Sequence, residues 1–380
     1  MTSHVRQRAI ALLSVLALGG AAACSTSASG SPPVLSPTPD RPPSQAGGGS
    51  PMLQPTWPVR TREHVDLWLH AYALLTTDSA LVPYFQRGYH DRMLVLRHQR
   101  GITTALDANR ARLIERIAVQ PSLATGPQFL PLYFASWDQM RQAIDLFVRA
   151  NGNPRAVSDP ALQQYFAILG ASFQSAADRE WLRLFAESVD DERTKFYHSY
   201  WITETAARAL VVAHVDSLWE RQWRPQLQRY LNNTQQQNGE LYLSFPLGGE
   251  GRTVQFAKTQ NAVAVGVPGT SQDAPYVLYT FAHEIAGSLA TTAIEDNTTP
   301  AERRSGATAG FEQSAAVRAG ALLLERTIPS AVPGYMRFYL VVAGRTAPKD
   351  IRAEFESTFA VPPAVTGAIS RQIEVILGGI

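Results

Sequence analysis

The residues best suited to chemistry lie on one apolar helical segment and on the helical segment that follows it. His283 and Glu284 stand side by side in the run PYVLYTFAHEIAGSLA, and Glu312 follows in the next helical pattern. An imidazole and carboxylates are the side chains that bind a divalent metal ion and exchange protons with water. Position 287 lies one turn after His283 on the same face, and it carries glycine, which offers no ligand.

This arrangement resembles the zinc metallopeptidases of the zincin type, and among them the gluzincin-like enzymes. Residues 283–287 read HEIAG, which matches the motif H-E-x-x-H except that glycine replaces the second histidine. The resemblance implies that His283 and Glu312 bind zinc and that Glu284 is the catalytic general base. It also implies that the apolar strand at residues 261–267 is the edge strand beside which an extended peptide binds.

The replaced histidine leaves several interpretations open. With only two ligands, a further one would have to come from elsewhere in the fold, and His198 and His214 are candidates. The simpler interpretation of Glu312 is an ion pair with a nearby arginine, namely Arg303, Arg304 or Arg318. The functional hypotheses are zinc-assisted hydrolysis of a peptide bond, a non-catalytic pseudo-peptidase that binds a peptide or protein, and an unrelated helical lipoprotein.

The N-terminus has the pattern of an export signal. A short basic start precedes an apolar segment at residues 9–18, which is too short to span a bilayer, so residues 1–23 are predicted to be a signal peptide. The sequence AAAC at its end resembles the lipobox of bacterial lipoproteins, which implies that Cys24 carries a lipid. Because Cys24 is the only cysteine, it has no internal disulfide partner. The resemblance implies an extracytoplasmic chain that is anchored to a bacterial membrane.

The remaining chain divides into a tether and one globular domain. Residues 24–57 are rich in Ser, Pro, Gly and Thr and have too little apolar surface to fold, so their composition predicts a flexible linker. No second linker interrupts residues 58–380, which predicts a single domain. The net charge of +2 and the lack of any long basic run argue against a nucleic-acid partner.

Periodicity predicts a mainly α fold with one small antiparallel β-sheet, which is the zincin-like α+β class. Helical spacing of apolar residues dominates residues 60–237. Three short apolar or alternating segments follow at 240–245, 252–257 and 261–267, and their short connections predict an antiparallel sheet over about 240–267. The helix that carries His283 and Glu284 is predicted at about 274–296.

A second helix is predicted directly after the first. Thr299 and Glu302 have the spacing of a capping box, and Pro300 stands at the first helical position between them. The pattern predicts one long helix from there to about residue 326, with Glu312 in its middle.

Overall fold

The computed structural model describes residues 56–76, 80–257, 260–306, 308, 310–346 and 349–378. The predicted signal peptide, Cys24 and most of the predicted tether therefore lie outside the described residues. Trp57 is the last residue of the segment that its Ser, Pro, Gly and Thr content assigns to the tether. It is fully buried and packs edge-on against the ring of Phe281. The folded part therefore includes Trp57, so the predicted boundary at residue 58 is slightly too late.

The described part is mainly helical, as the periodicity predicts. Its α-helices, in chain order, are α1 (Glu63–Leu75), α2 (Tyr89–Gln99), α3 (Ala105–Val119), α4 (Ser122–Thr125), α5 (Trp137–Arg149), α6 (Pro160–Ser172), α7 (Ala176–Glu192), α8 (His198–Ala207), α9 (Ala209–Leu218), α10 (Arg224–Asn233), α11 (Pro275–Asn297), α12 (Pro300–Arg304), α13 (Glu312–Thr327), α14 (Val332–Val342), α15 (Ile351–Thr358) and α16 (Pro363–Gly378). Single-turn π-helices join α7 to α8 and α9 to α10.

The sheet is mixed, whereas the sequence predicted an antiparallel one. Its strands are β1 (Val59–Arg60), β2 (Asn238–Ser244), β3 (Arg252–Ala257) and β4 (Gln260–Gly266), and their spatial order is β1-β2-β4-β3. β2 runs parallel to β1 and β4, and only β3 and β4 are antiparallel. The prediction fails because the connection after β2 carries the chain past β4, so that β3 pairs on the far side. The predicted edge strand, β4, is therefore an inner strand, and β3 is at the edge.

Helices cover both faces of this sheet. Side chains alternate between the two faces of a strand, and in β4 Val263 and Val265 join the core formed with α11, α13, α14 and α16. Ala262 and Ala264 of the same strand join the core formed with the helices of the N-terminal half. A small sheet thus separates two helical layers, and α11 packs on the face to which Val263 and Val265 point.

The helix that carries His283 is confirmed, but the second helix is not continuous. The predicted capping box of Thr299 and Glu302 is present at the start of α12. That helix ends after one turn at Gly306, which has the left-handed φ of +76° that glycine adopts at little cost. α13 then begins at Glu312 and packs along α11. Glu312 therefore lies at a helix N-terminus, where the helix dipole favours a carboxylate.

Candidate metal centre

One imidazole and two carboxylates converge in the interior between the sheet and the C-terminal helices. The Nε2 atom of His283 lies 3.0 Å from Oε2 of Glu250 and 3.7 Å from Oε1 of Glu284. The His283 side chain is 3% exposed, and those of Glu250 and Glu284 are 12% and 10% exposed. One potential ligand atom from each residue lies within 4.8 Å of the others, so the three residues form a candidate site for a metal ion.

The loop between β2 and β3 places Glu250 in this cluster. A Cβ atom at Gly251 would lie 2.2 Å from the carbonyl oxygen of Ala264 in β4, so only glycine lets the loop approach the sheet this closely. The Gly251 amide also donates a hydrogen bond of 2.9 Å to Oε1 of Glu284 on α11. Both contacts hold the loop between β4 and α11, with the side chain of Glu250 directed at His283.

α13 reaches the cluster through an amide and not through a carboxylate. The Nε2 atom of Gln313 donates a hydrogen bond of 3.0 Å to Oε1 of Glu250. The same side chain binds the backbone of Val82, donating to its carbonyl oxygen at 2.6 Å and accepting from its amide at 3.0 Å. Gln313 therefore occupies the place where the resemblance expected a ligating carboxylate from this helix.

The segment at residues 82–86 packs against this loop. Phe85 forms an antiparallel bridge with Leu247, and the Glu250 amide donates a hydrogen bond of 3.2 Å to the carbonyl oxygen of Pro83. The segment is thus held against the loop by an isolated β-bridge and a backbone hydrogen bond. It joins the N-terminal half of the domain to the cluster.

The two carboxylates around His283 determine its protonation state. Burial by itself lowers the pKa of His283, but the negative charge of Glu250, its hydrogen bond and the charge of Glu284 outweigh this effect and raise the pKa to about 9. Burial raises the pKa of Glu284, and the positive charges of His283 and Arg252 oppose that rise. At neutral pH the cluster therefore contains an imidazolium ion that is paired with Glu250.

Arg252 provides a second positive charge close to the cluster. Its guanidinium lies over the rings of Tyr84 and Phe129, at 5.7 and 5.3 Å from their centroids, and it donates a hydrogen bond to the Tyr84 hydroxyl. From the sequence, Arg252 could orient a substrate carboxylate or simply flank a turn. The structure places it against two aromatic rings, and its charge acts on Glu284.

The structure brings together only part of the predicted site. His283 and Glu284 are adjacent as expected, but Oε1 of Glu312 accepts a hydrogen bond from the hydroxyl of Thr308 and does not join the cluster. Within the described ranges no ion pair links Glu312 to an arginine. Nδ1 of His198 lies 2.9 Å from Glu63, and His214 is exposed on α9, so neither histidine replaces the missing ligand.

Sequence reasoning missed Glu250 and Gln313. The available signal for Glu250 was its position in the connection GGEG, where a carboxylate stands among glycines between two apolar strands. Such a connection can approach a neighbouring helix closely and bring the carboxylate with it. No comparable signal marks Gln313, because its role depends on the residue at which α13 begins.

Gly287 faces open space, since a Cβ atom there would meet no atom within 4 Å. We therefore expect Gly287→Ala to raise the free energy of unfolding by about 0.5–1 kcal/mol, the usual gain from replacing glycine inside a helix. Urea denaturation followed by circular dichroism measures the change. Gly320→Ala is the matched control, because its Cβ would lie 3.0 Å from Cα of His283 and should destabilise the protein. A loss of stability in both variants would contradict the open position at 287.

Comparisons with known proteins leave the function to be argued from this cluster. No protein-family model, curated protein or solved structure matches the chain. None of the helices in the described ranges is both long enough and apolar enough to cross a membrane.

Proposed function

We propose that the chain is a lipoprotein of the bacterial cell envelope whose domain is a non-catalytic pseudo-peptidase and acts as a binding or assembly module. In this proposal a lipid on Cys24 anchors the chain outside the cytoplasm, and the domain binds a peptide or protein partner. The observation that carries the proposal is a shortage of ligands at the cluster. Gly287 offers none, and α13 contributes the amide of Gln313 in place of a carboxylate.

The shortage matters because catalysis needs more groups than binding does. A catalytic zinc site of the zincin type uses three protein ligands and a separate general base. The cluster supplies Glu250, His283 and Glu284 in total, so using all three as ligands leaves no base among them. If Glu284 is kept as the base, only two ligands remain. The donor set thus fits a bound divalent cation better than a hydrolytic zinc site.

Zinc-assisted hydrolysis of a peptide bond is the second candidate function. The convergence of three ligand atoms within 4.8 Å favours it. Glu250 and His283 would then hold the zinc ion, which supplies a Lewis acid when bound, and Glu284 would accept a proton from water. Glu250 takes the place that the sequence assigned to Glu312.

Restoring the missing ligands tests which candidate is right. We expect the full-length wild-type protein to bind zinc at least about tenfold more weakly than the double variant Gly287→His/Gln313→Glu. The variant adds a second imidazole one turn after His283 and a carboxylate at position 313, next to Glu250. Metal content after equilibration with zinc and dialysis, together with calorimetric titration, measures both affinities.

Two further variants complete this experiment. Adding His283→Ala to the double variant should abolish its zinc binding, which shows that the metal occupies the intended site. Zinc binding by the wild type that is as tight as that of the double variant, together with peptide hydrolysis that is lost in His283→Ala, would contradict the non-catalytic proposal. Peptide hydrolysis that needs Glu284 would then establish the second candidate.

A further inference from the structure

One corner of the domain, where α8 meets α9, exposes apolar side chains. Leu210 at the start of α9 is 84% exposed and Ile202 on α8 is 50% exposed, and Leu210 is the most exposed of the large hydrophobic residues that the structure describes. Ala206, Ala209 and Ala213, which are also exposed, lie between and after them in the chain. We call these five residues the apolar corner. α9 is rich in apolar residues, yet Val215 is its only buried residue.

The apolar corner lies on two short helices that meet at Arg208. Arg208 has the non-helical dihedral angles φ −103° and ψ 9°; its amide donates to the carbonyl oxygen of Glu204 at the end of α8, and the Val212 amide donates to the carbonyl oxygen of Arg208 at the start of α9. Positions 202 and 206 share one face of α8, and positions 209 and 213 share one face of α9 with Leu210 beside them. Exposed apolar faces of this kind favour contact with an apolar surface outside the molecule.

The charged residues around the apolar corner do not favour a strongly charged partner. Arg208 is paired with Glu204, and its guanidinium also lies over the ring of Phe245. The other ionisable residues on α9 are His214 and Asp216, both exposed. The positive and negative charges are nearly balanced, so contact at the corner must come mainly from its apolar side chains.

The position of the predicted tether suggests what covers the corner. α9 packs against β1, the strand that begins three residues after the first described residue, Thr56. Cys24 is separated from Thr56 by a segment rich in Gly, Ser and Pro. A lipid on Cys24 would therefore tether the domain to the bilayer through the side on which β1 and α9 lie.

We propose that the apolar corner inserts into the surface of the membrane that holds the lipid anchor. The inference rests on the lipidation of Cys24 and is independent of whether the His283 cluster binds metal. Leu210 and Ile202 enter the boundary between headgroups and acyl chains, where side chains of this type gain apolar contact. The tether raises the local concentration of the domain at the bilayer, so a weak insertion is sufficient to orient it.

Fluorescence quenching by lipids tests this orientation. Since Cys24 is the only cysteine and would be blocked by its lipid, Leu210→Cys in the full-length lipidated protein can be labelled at one position with a fluorophore. The labelled protein is reconstituted into vesicles of phosphatidylcholine and phosphatidylglycerol that contain nitroxide-labelled lipid. Val341→Cys on α14 is the matched control, because Val341 is also strongly exposed but lies outside the apolar corner.

We expect quenching at position 210 to exceed quenching at position 341 by about twofold or more, as insertion below the headgroups requires. Raising the salt concentration from about 0.05 to 0.5 M should leave the difference intact, because the contact is apolar. Adding Ile202→Ser to the Leu210→Cys protein should reduce it.

Three outcomes would overturn the inference. Equal quenching at the two positions in a protein whose mass shows the lipid would exclude membrane contact at the corner while leaving the anchor in place. A chain that carries no lipid and shows no quenching at position 210 would refute the anchor and the corner together. Shielding of the label in detergent that increases with protein concentration would assign the corner to contact between copies. None of these results bears on the zinc experiment.

Discussion

Replacing His283 by alanine should lower the free energy of unfolding by about 3–5 kcal/mol at pH 7, which is the usual cost of removing one partner from a buried ion pair. The variant leaves the carboxylates of Glu250 and Glu284 next to each other in the interior, and no cation remains between them. One of them must take up a proton, or the loop must move into water. Urea denaturation followed by circular dichroism measures the loss.

His64→Ala is the matched control for this prediction. His64 is also buried, but it bonds to the carbonyl oxygens of Pro131 and Phe134 and pairs with no carboxylate. Burial lowers its pKa to about 4, so it is neutral at pH 7. We expect its replacement to cost about 1–3 kcal/mol, through lost packing and one unsatisfied carbonyl group.

A second-site variant separates the charge effect from the loss of packing. Glu250→Gln added to His283→Ala removes one of the two buried carboxylates, so it should recover about 1–2 kcal/mol of the lost stability. The charge explanation would be wrong if His283→Ala cost no more than His64→Ala and Glu250→Gln gave no recovery.

The stability of the protein should fall as the pH rises above neutrality. The pKa of His283 is about 9 in the fold, compared with about 6.5 in the unfolded chain, and this difference corresponds to roughly 3 kcal/mol. Below pH 6.5 the histidine is protonated in both states and its contribution is complete. Between pH 6.5 and 9 only the folded state holds the proton, so the contribution declines, and above about pH 9 it is absent.

Other buried groups act in the same direction, and a variant isolates His283. Burial raises the pKa of Asp66 to about 7 and also raises that of Glu284, so both contribute stability that is lost as the pH rises. Unfolding free energies at a series of pH values for the wild type and for His283→Gln give the His283 contribution by difference. We expect the difference to shrink by about 3 kcal/mol between pH 6.5 and 9.5.

His64→Gln provides the control for the pH series. The pKa of His64 is lowered by burial, so its contribution is complete above pH 6.5 and is lost only as the pH falls toward 4. This variant should therefore keep the same decline above pH 6.5 as the wild type. A difference between wild type and His283→Gln that does not change with pH would show that the folded protein does not hold a proton on His283.

Much of the secondary structure near the site could be predicted from local sequence. The helix that carries His283 was expected at about 274–296 and is observed at Pro275–Asn297, because a long apolar run with proline at its start leaves few alternatives. The segments of β2, β3 and β4 were also recognised, since they alternate or are wholly apolar between turn residues. These features depend on neighbours within a few residues along the chain.

The order of the strands and the break in the second helix could not be predicted in the same way. Short connections favoured an antiparallel sheet, but the chain passes beyond β4 after β2, so β2 and β4 are parallel neighbours and β3 pairs on the far side of β4. The capping box at Thr299 correctly marked a helix start, yet Gly306 ends that helix after one turn. A glycine within a helical pattern is compatible with continuation or termination, and packing decides between them.

The sequence by itself determined which helix carries the candidate site, and it supplied His283 and Glu284 on that helix. Only the tertiary structure decided which groups surround them. Glu250 lies 33 residues before His283 in the chain and contacts it through the loop after β2. Gln313 contacts Glu250 from the adjacent helix α13, whereas Glu312 accepts a hydrogen bond from Thr308. Helical and strand periodicity determine which residues share a face of one element. Convergence at a metal centre depends on contacts between elements, and no local pattern in the sequence encodes those distances.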